Sequence, residues 1–433
     1  MSGLARVLLQ MGATVVGSDI RESSNTRVLR EAGGEVYIGH RSSNIARDVD
    51  AVVVSSAISD DNVEVKEAKR RGIPVQERLT ALARLMEEKK SVAVAGTHGK
   101  TTTTTMASTL FEFGGLDPTY MIGANCEQLG GNAKLGQGDH FISEVDESDG
   151  HFTQLNPDLS VITNIGKDHL DTYKDQDEIL EGFKKFARRS EETIICADDR
   201  NSRKLFEVLS SPFTFGVDNR ADLTARNISQ VGVHTSFDLY FRGDELGRVD
   251  LPAPGKHNVY NALASLSLGY KSGMKFPKMM EILERFQLPR RRFQILQNNG
   301  SIIVDDYAHL PKEIEVTLNA VKEGWNPNRI LAVFQPHRFS RTKHINGQFG
   351  NSFKTADMVV ITGIYPASET PIPGVTSQLI QKSVEKTKKK GVYRILERDK
   401  LYDFVTNTME EGDFLIGLGA GDINQFTRSL AES

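Results

Sequence analysis

The segment Gly96-Thr97-His98-Gly99-Lys100-Thr101 sets a glycine-rich turn, a lysine and a hydroxyl between the β-branched run Ser91 to Ala95 and a threonine-rich stretch, Thr101 to Thr105, that reads as a helix start. Strand, loop and helix in that order form a phosphate cradle. Backbone N–H groups and the helix N-terminus point at phosphate oxygens, the Lys100 ammonium neutralises the outer phosphates, and the Thr101 hydroxyl is a ligand for Mg2+. Gly96, Thr97, His98, Gly99, Lys100, Thr101 and Thr102 are the candidate phosphate-binding residues. The pattern is a variant of G-x-x-x-x-G-K-[ST], whose first glycine would fall at Val94.

Two acidic clusters follow. Ser143-Glu144-Val145-Asp146-Glu147-Ser148-Asp149 and Asn164-Ile165-Gly166-Lys167-Asp168-His169-Leu170-Asp171 each stand just past an expected strand, where ligands of parallel sheets bind. Glu144 or Asp146 with His169 has the donors for a second Mg2+, imidazole being an unusual partner for that hard ion. Further on, Asp305-Asp306-Tyr307-Ala308-His309 and Gln335-Pro336-His337-Arg338-Phe339-Ser340-Arg341 again sit past strand ends. Arg338 and Arg341 lie three apart, so they converge on one carboxylate or phosphate if a helix begins there.

The elements that must position these groups alternate short β-branched runs with amphipathic stretches, the pattern of βαβ units and mainly parallel sheets. The first block, 1–88, has strand candidates at Thr14 to Ile20, Glu35 to His40 and Ala51 to Ile58 and a helix at Leu79 to Lys90. The second, 89–287, has them at Ser91 to Ala95, His140 to Val145, Leu159 to Ile165 and Thr193 to Ala197. Short β segments at 213–251 and a helix after Asn258 complete it. The third, 288–433, opens on Pro289-Arg290-Arg291-Arg292 and has strand candidates at Ser301 to Asp305, Arg329 to Phe334, Met358 to Thr362 and Asp413 to Leu418. Lys386 to Lys390 reads as a solvated helix face.

With 433 residues the chain is long enough for two to four domains at roughly 100 to 200 residues each. A net charge of −4 gives no basic footprint for nucleic acid, and no apolar run is long enough to span a bilayer. Cys126 and Cys196 stand far apart with no Cys/His spacing around them, so neither a disulfide framework nor a zinc site is expected. These features point to a cytoplasmic protein with small-molecule partners, without nucleic acid or membrane insertion; a monomer or weak homodimer is the expected state, though none of these features sets it. Leu4, Val7, Leu8 and Met11 make an amphipathic helix that opens the chain with no strand and no glycine-rich turn before it. In a dinucleotide-type sheet that strand is central and that turn holds the pyrophosphate. The expectation is an internal methionine at position 1 or a fragment, with two rows of unpaired strand backbone.

In their order, GTHGKTTTT, EVDESD, NIGKDHLD, PGKHNVYNA, RRF, VDDYAH, QPHRFSRT and the terminal GLGAGDI resemble the Mur ligases of bacterial cell-wall synthesis over nearly the whole chain. The resemblance implies an α/β protein of three domains. These are a truncated Rossmann-like UDP-binding domain, a central P-loop ATPase domain with a parallel sheet, and a Rossmann-like C-terminal domain. It implies Lys100 on the β- and γ-phosphates, Thr101 and Glu144 on one Mg2+, and Glu144 with His169 on a second. Asn258 and Asn261 would face the adenine, and Arg292 and Asp306 would complete the ATP site. His309, His337, Arg338 and Arg341 would lie near the substrate carboxylates, with an arginine anchoring that of the amino acid. Asp19, His40, Ser55 and Ser56 match positions near the uridine diphosphate. Two departures stand out: the family's first strand and glycine-rich loop have no counterpart, and Leu310 replaces the second histidine that usually follows the first.

The activity implied is ATP-dependent joining of L-alanine, to which QPHRFSRT points, to the carboxylate of UDP-N-acetylmuramate. A carboxylate is a poor electrophile, so it is first activated as an acyl phosphate, which the amine then attacks. His309 is the expected proton acceptor. The competing readings are a related ligase that adds a whole muropeptide, a nucleotide-binding protein without turnover, and an energy-coupling NTPase.

Overall fold

The computed structural model describes residues 1–55, 57–148, 150–166, 173–367, 369–388 and 390–432, with Asn298 and Asn299 described by their backbone alone. It forms two compact units, one of Met1–Gly166, Asp177–Thr214 and Ala264–Lys275, the other mainly of Phe215–Leu263 and Phe276–Ser433. Both are mixed α/β, as the alternating pattern requires.

In the first unit, strands run in the order Glu192–Cys196, Leu159–Ile162, Lys90–Ala95, His140–Glu144, Thr119–Cys126, Gly131–Lys134. Every pair is parallel except the last. Val92 to Ala95 are buried throughout, as befits a central parallel strand covered on both faces. The strand leads through the glycine turn into the helix Lys100–Phe113, whose residues Thr101 to Phe111 are all buried. A helix this rich in threonine survives burial because Thr104 and Thr105 donate their hydroxyls to the carbonyls of Lys100 and Thr101, at 2.8 and 2.7 Å. Val94 registers with Glu144 and Ala95 with Ile162, so three adjacent strands end together and bring their loops side by side.

The opening helix, Ser2–Gln10, buries Gly3, Leu4 and Val7 as its spacing predicts. Arg6 donates to Gly130 O at 3.1 Å and Gln10 accepts from Leu135 N at 2.6 Å, which fixes the helix beside the edge strand Gly131–Lys134. Val16–Asp19 pairs in parallel with Glu35–Ile38, and Val52–Val54 with Val75–Glu77. These remain separate two-stranded sheets, and no strand joins them among the described residues.

The second unit contains the antiparallel meander Leu223–Val231, His234–Phe241, Asp244–Leu251. It also holds a six-stranded sheet in the order Gln294–Asn299, Ser301–Asp306, Phe414–Leu418, Ile330–Phe334, Met358–Ile361, Val392–Arg394. All its pairs but the first are parallel. Alternation sends Ile330, Ala332 and Phe334 to one apolar face and Leu331 and Val333 to the other. Two expectations are corrected: the helix Arg78–Met86 stops short of Lys90, which already opens a strand, and the helix Gln378–Glu385 ends before Lys386, so the described Lys386, Lys388 and Lys390 lie on no helix face. Lys388 N still donates to Val384 O, so the chain leaves the helix through a last turn.

Candidate active site

Gly96 opens the phosphate loop at φ 129°, and a Cβ there would fall on the Thr163 hydroxyl and within 2.9 Å of Asn164 O. Glycine is therefore required by both conformation and close approach. At the helix start, Lys100 Nζ donates to Gly96 O at 2.7 Å and to Glu147 Oε2 at 2.6 Å. Lys100 is 12% and Glu147 2% exposed, which makes this a buried ion pair. Burial alone would lower the lysine's pKa, but Glu147, Asp146 and Glu144 outweigh it and hold the ammonium charged well above its usual range. Thr101 Oγ1 donates to Glu144 Oε1 at 3.1 Å, while Glu144 Oε2 accepts from Gly123 N at 3.0 Å. A Cβ on Gly123 would run into that carboxylate and come within 3.0 Å of Thr101 Oγ1, so glycine leaves a notch beside two hard oxygen donors.

Among the described residues no three His, Cys, Asp or Glu side chains converge as a metal site. Thr101 and Glu144 nonetheless suit Mg2+, which usually takes one or two protein oxygens and completes its shell with water and phosphate. His169 and Ser56 lie outside the described residues. Asp146 turns back to accept from Ser148 N at 3.1 Å.

In the second unit the C-terminal strand ends gather the His and Arg side chains. His309 and His337 rings are 5.6 Å apart, and Tyr365 stacks on His337 at 5.7 Å. His309 Nδ1 lies 3.1 Å from Tyr307 O, an acceptor only, so Nδ1 carries a proton. His337 is the converse: Arg341 donates to its Nδ1 at 3.1 Å, so Nε2 carries the hydrogen. Burial, with His309, Arg341 and Arg338 adding to it, pushes His337 down to about 3, and the ring is neutral. Arg338 begins the helix Phe339–Ile345 with φ 67°, and its buried Nε has no hydrogen-bond partner. Leu310 is buried in the apolar core.

Asp306 has one oxygen accepting from Phe293 N and the other from Ala308 N, both at 2.7 Å. Burial, partly offset by Arg292, raises its pKa to about 6. It thereby clamps the backbone on which Arg292 sits. Arg292 stacks over Tyr307 at 4.9 Å, between two left-handed neighbours, Arg291 and Phe293. Asn258 donates to Pro254 O at 2.8 Å and accepts from Asn261 at 3.0 Å, so the two asparagines form a buried pair.

Asp19 ends the strand Val16–Asp19, His40 stands just past Glu35–Ile38, and Ser55 follows Val52–Val54. Asp19 is exposed and accepts from Arg21 N at 3.2 Å. His40 Nδ1 lies 2.9 Å from Ser18 Oγ and 3.3 Å from Glu64 Oε2.

Sequence reasoning missed three organisers: Glu147, Glu64 and Arg291. Arg291 donates to Gly419 O at 2.6 Å, to Gly421 O at 2.9 Å and to Asp305 at 3.2 Å. Glu147 was traceable from the acidic run that any buried lysine needs for charge balance. Arg291 carried no signal beyond its place in a basic triplet.

A parallel sheet whose central strand feeds a glycine turn, a buried lysine and a helix-borne hydroxyl defines a P-loop-type nucleotide-binding protein. Comparison with known proteins narrows the class. The family described as Mur ligase middle domain matches residues 94–269. Those described as Mur ligase family, catalytic domain, and Mur ligase, glutamate ligase domain, match 1–90 and 291–421. The UDP-N-acetylmuramate--L-alanine ligase of Geotalea daltonii is 42% identical, covering 100% of this chain and 95% of that protein. Its counterpart from Carboxydothermus hydrogenoformans is 44% identical, with 98% and 92% covered. The crystal structure of UDP-N-acetylmuramate-alanine ligase from Thermotoga maritima superposes with a TM-score of 0.86 at 30% identity, covering 100% of this chain and 96% of that one. A murein peptide ligase from Psychrobacter arcticus shares the fold, with a TM-score of 0.74 at 22% identity and the same coverage. The chain belongs to the Mur ligase family.

Proposed function

We propose that this protein is an ATP-dependent ligase that joins L-alanine to the carboxylate of UDP-N-acetylmuramate in peptidoglycan precursor synthesis. The observation that carries the choice of substrates is the similarity to L-alanine ligases along the whole chain. The phosphate loop supplies the chemistry. Lys100 exchanges Glu147 for phosphate oxygens when nucleotide enters, with Gly96 to Thr102 wrapping the phosphates. Thr101 and Glu144, with His169 as the second-site candidate, would hold Mg2+, which when bound would supply charge neutralisation for phosphoryl transfer.

The substrate carboxylate attacks the γ-phosphorus, breaking the β,γ bridge and releasing ADP. The alanine amine then attacks the acyl phosphate, and inorganic phosphate leaves with one former carboxylate oxygen. His309 takes the amine proton. The Nε2–H of His337, with Arg338 and Arg341, holds the anionic substrate groups. In this reading Asn258 and Asn261 would serve the adenine, Arg292 and Asp306 would complete the ATP site, and Asp19, His40, Ser55 and Ser56 would serve the uridine diphosphate. The boundaries 1–88, 89–287 and 288–433 and a cytoplasmic site of action belong to the same reading. Phosphate release from MgATP that requires both UDP-N-acetylmuramate and L-alanine supports it. Release that needs neither marks a plain NTPase, and a preference for muropeptide over L-alanine marks the recycling ligase.

A further inference from the structure

We infer that Asn164 is a positioning residue that sets the shape of the phosphate loop and thereby the affinity for nucleotide triphosphate; the inference rests on the ATP-dependent reading above. The loop Gly96–Gly99 has little regular pairing of its own and must be held from outside. Asn164 does this at two levels. Its carboxamide spans one residue of the loop, with Oδ1 accepting from His98 N at 3.0 Å and Nδ2 donating to His98 O at 2.9 Å. Its backbone carbonyl accepts from Thr97 N at 3.0 Å. The side chain thus acts as one rung of sheet, continuing the ladder between Lys90–Ala95 and Leu159–Ile162 past the last strand residues.

Neighbours extend the clamp. Thr163 Oγ1 donates to the same His98 carbonyl at 2.7 Å, and Gly166 N donates to Thr97 Oγ1 at 2.8 Å. From the other side, Asp199 accepts from Ile165 N at 3.1 Å and Asn201 donates to Ile165 O at 2.8 Å. None of these groups needs to touch substrate. They fix which way the loop's amides point, and a preorganised donor array binds anions without the ordering cost that a loose loop would bear.

Asparagine is singled out chemically because the rung needs an acceptor and a donor on one planar group. Aspartate keeps the shape and the acceptor, but sets a carboxylate oxygen against the His98 carbonyl. Asn164→Ala and Asn164→Asp are therefore both expected to raise the dissociation constant for MgATP, read by calorimetry on the full chain, about tenfold. KM for ATP should rise in parallel while KM for L-alanine stays within about twofold. Asn201→Ala, which loosens the loop from its far side, shifts the same quantities the same way by a smaller factor, and decides the matter if the Asn164 variants do not fold. Wild-type ATP affinity in the variants, rescue by aspartate, or an equal rise in every KM overturns the positioning role. A wild-type chain that binds no ATP overturns the ligase reading, and this inference with it.

Discussion

Lys100 has two jobs that a single substitution confounds. It neutralises Glu147 at 2.6 Å in a pair with exposures of 12% and 2%, and it is the candidate phosphate-binding cation. Lys100→Ala strands a buried carboxylate, which costs about 3–5 kcal/mol. Glu144 and Asp146, the other acidic groups acting on the lysine, make that loss worse. The folded pKa is raised, so the lysine's contribution is complete below the unfolded value of about 10.4 and is lost only as pH climbs through the higher folded one. The destabilisation should therefore be flat from about pH 6 to about pH 9. Adding Glu147→Gln removes the stranded charge, and most of the lost stability should return in urea unfolding. Activity should not: both Lys100→Ala and the double variant should lose about 10² to 10³ in the rate of phosphate release, the loss typical of one electrostatic donor. A double variant as unstable as the single one would refute the ion-pair account. Lys100→Ala with more than half of wild-type activity would remove the lysine from the chemistry.

Gly96→Ala forces a Cβ onto Thr163 at a φ of 129°, and should cost about 1–3 kcal/mol and weaken ATP binding more than tenfold, measured by unfolding and calorimetry. Arg291→Lys loses the fork that joins Gly419, Gly421 and Asp305, and should lower stability by about 2 kcal/mol in urea unfolding. Burial, with Arg292 adding to it, lowers His257 to about 4. Between there and the ordinary value of about 6.5 the unfolded chain binds the extra proton, so stability is lost as pH falls through that window. His337 acts in the same sense, while Asp306, raised to about 6, acts in the opposite one. His257→Gln should flatten the acid limb of urea midpoints taken between about pH 7 and about pH 5.

The phosphate loop was legible because strand, turn and helix each carried an independent signal at Ser91 to Thr105. The apolar strands of both sheets were legible because burial on two faces selects β-branched runs, as at Ile330–Phe334. Thr119–Cys126 and the edge strand Gly131–Lys134 were not, since glycines and polar residues break the apolar run. Gln294–Asn299 hides for a related reason: an edge strand needs few apolar residues. At the site, residue types located the His and Arg cluster, but the opposite roles of Nδ1 in His309 and His337 depend on single hydrogen bonds that no spacing encodes. Arg291 escaped notice because its left-handed backbone occurs without glycine or asparagine to announce it.

In the proposed reaction a carboxylate oxygen attacks ATP before the amine arrives. With 18O in the carboxylate of UDP-N-acetylmuramate, turnover with MgATP and L-alanine should deliver one 18O atom into inorganic phosphate for each amide formed, read by mass spectrometry. Unlabelled phosphate released alongside amide would contradict the acyl-phosphate route. Phosphate released without amide would contradict the ligase itself.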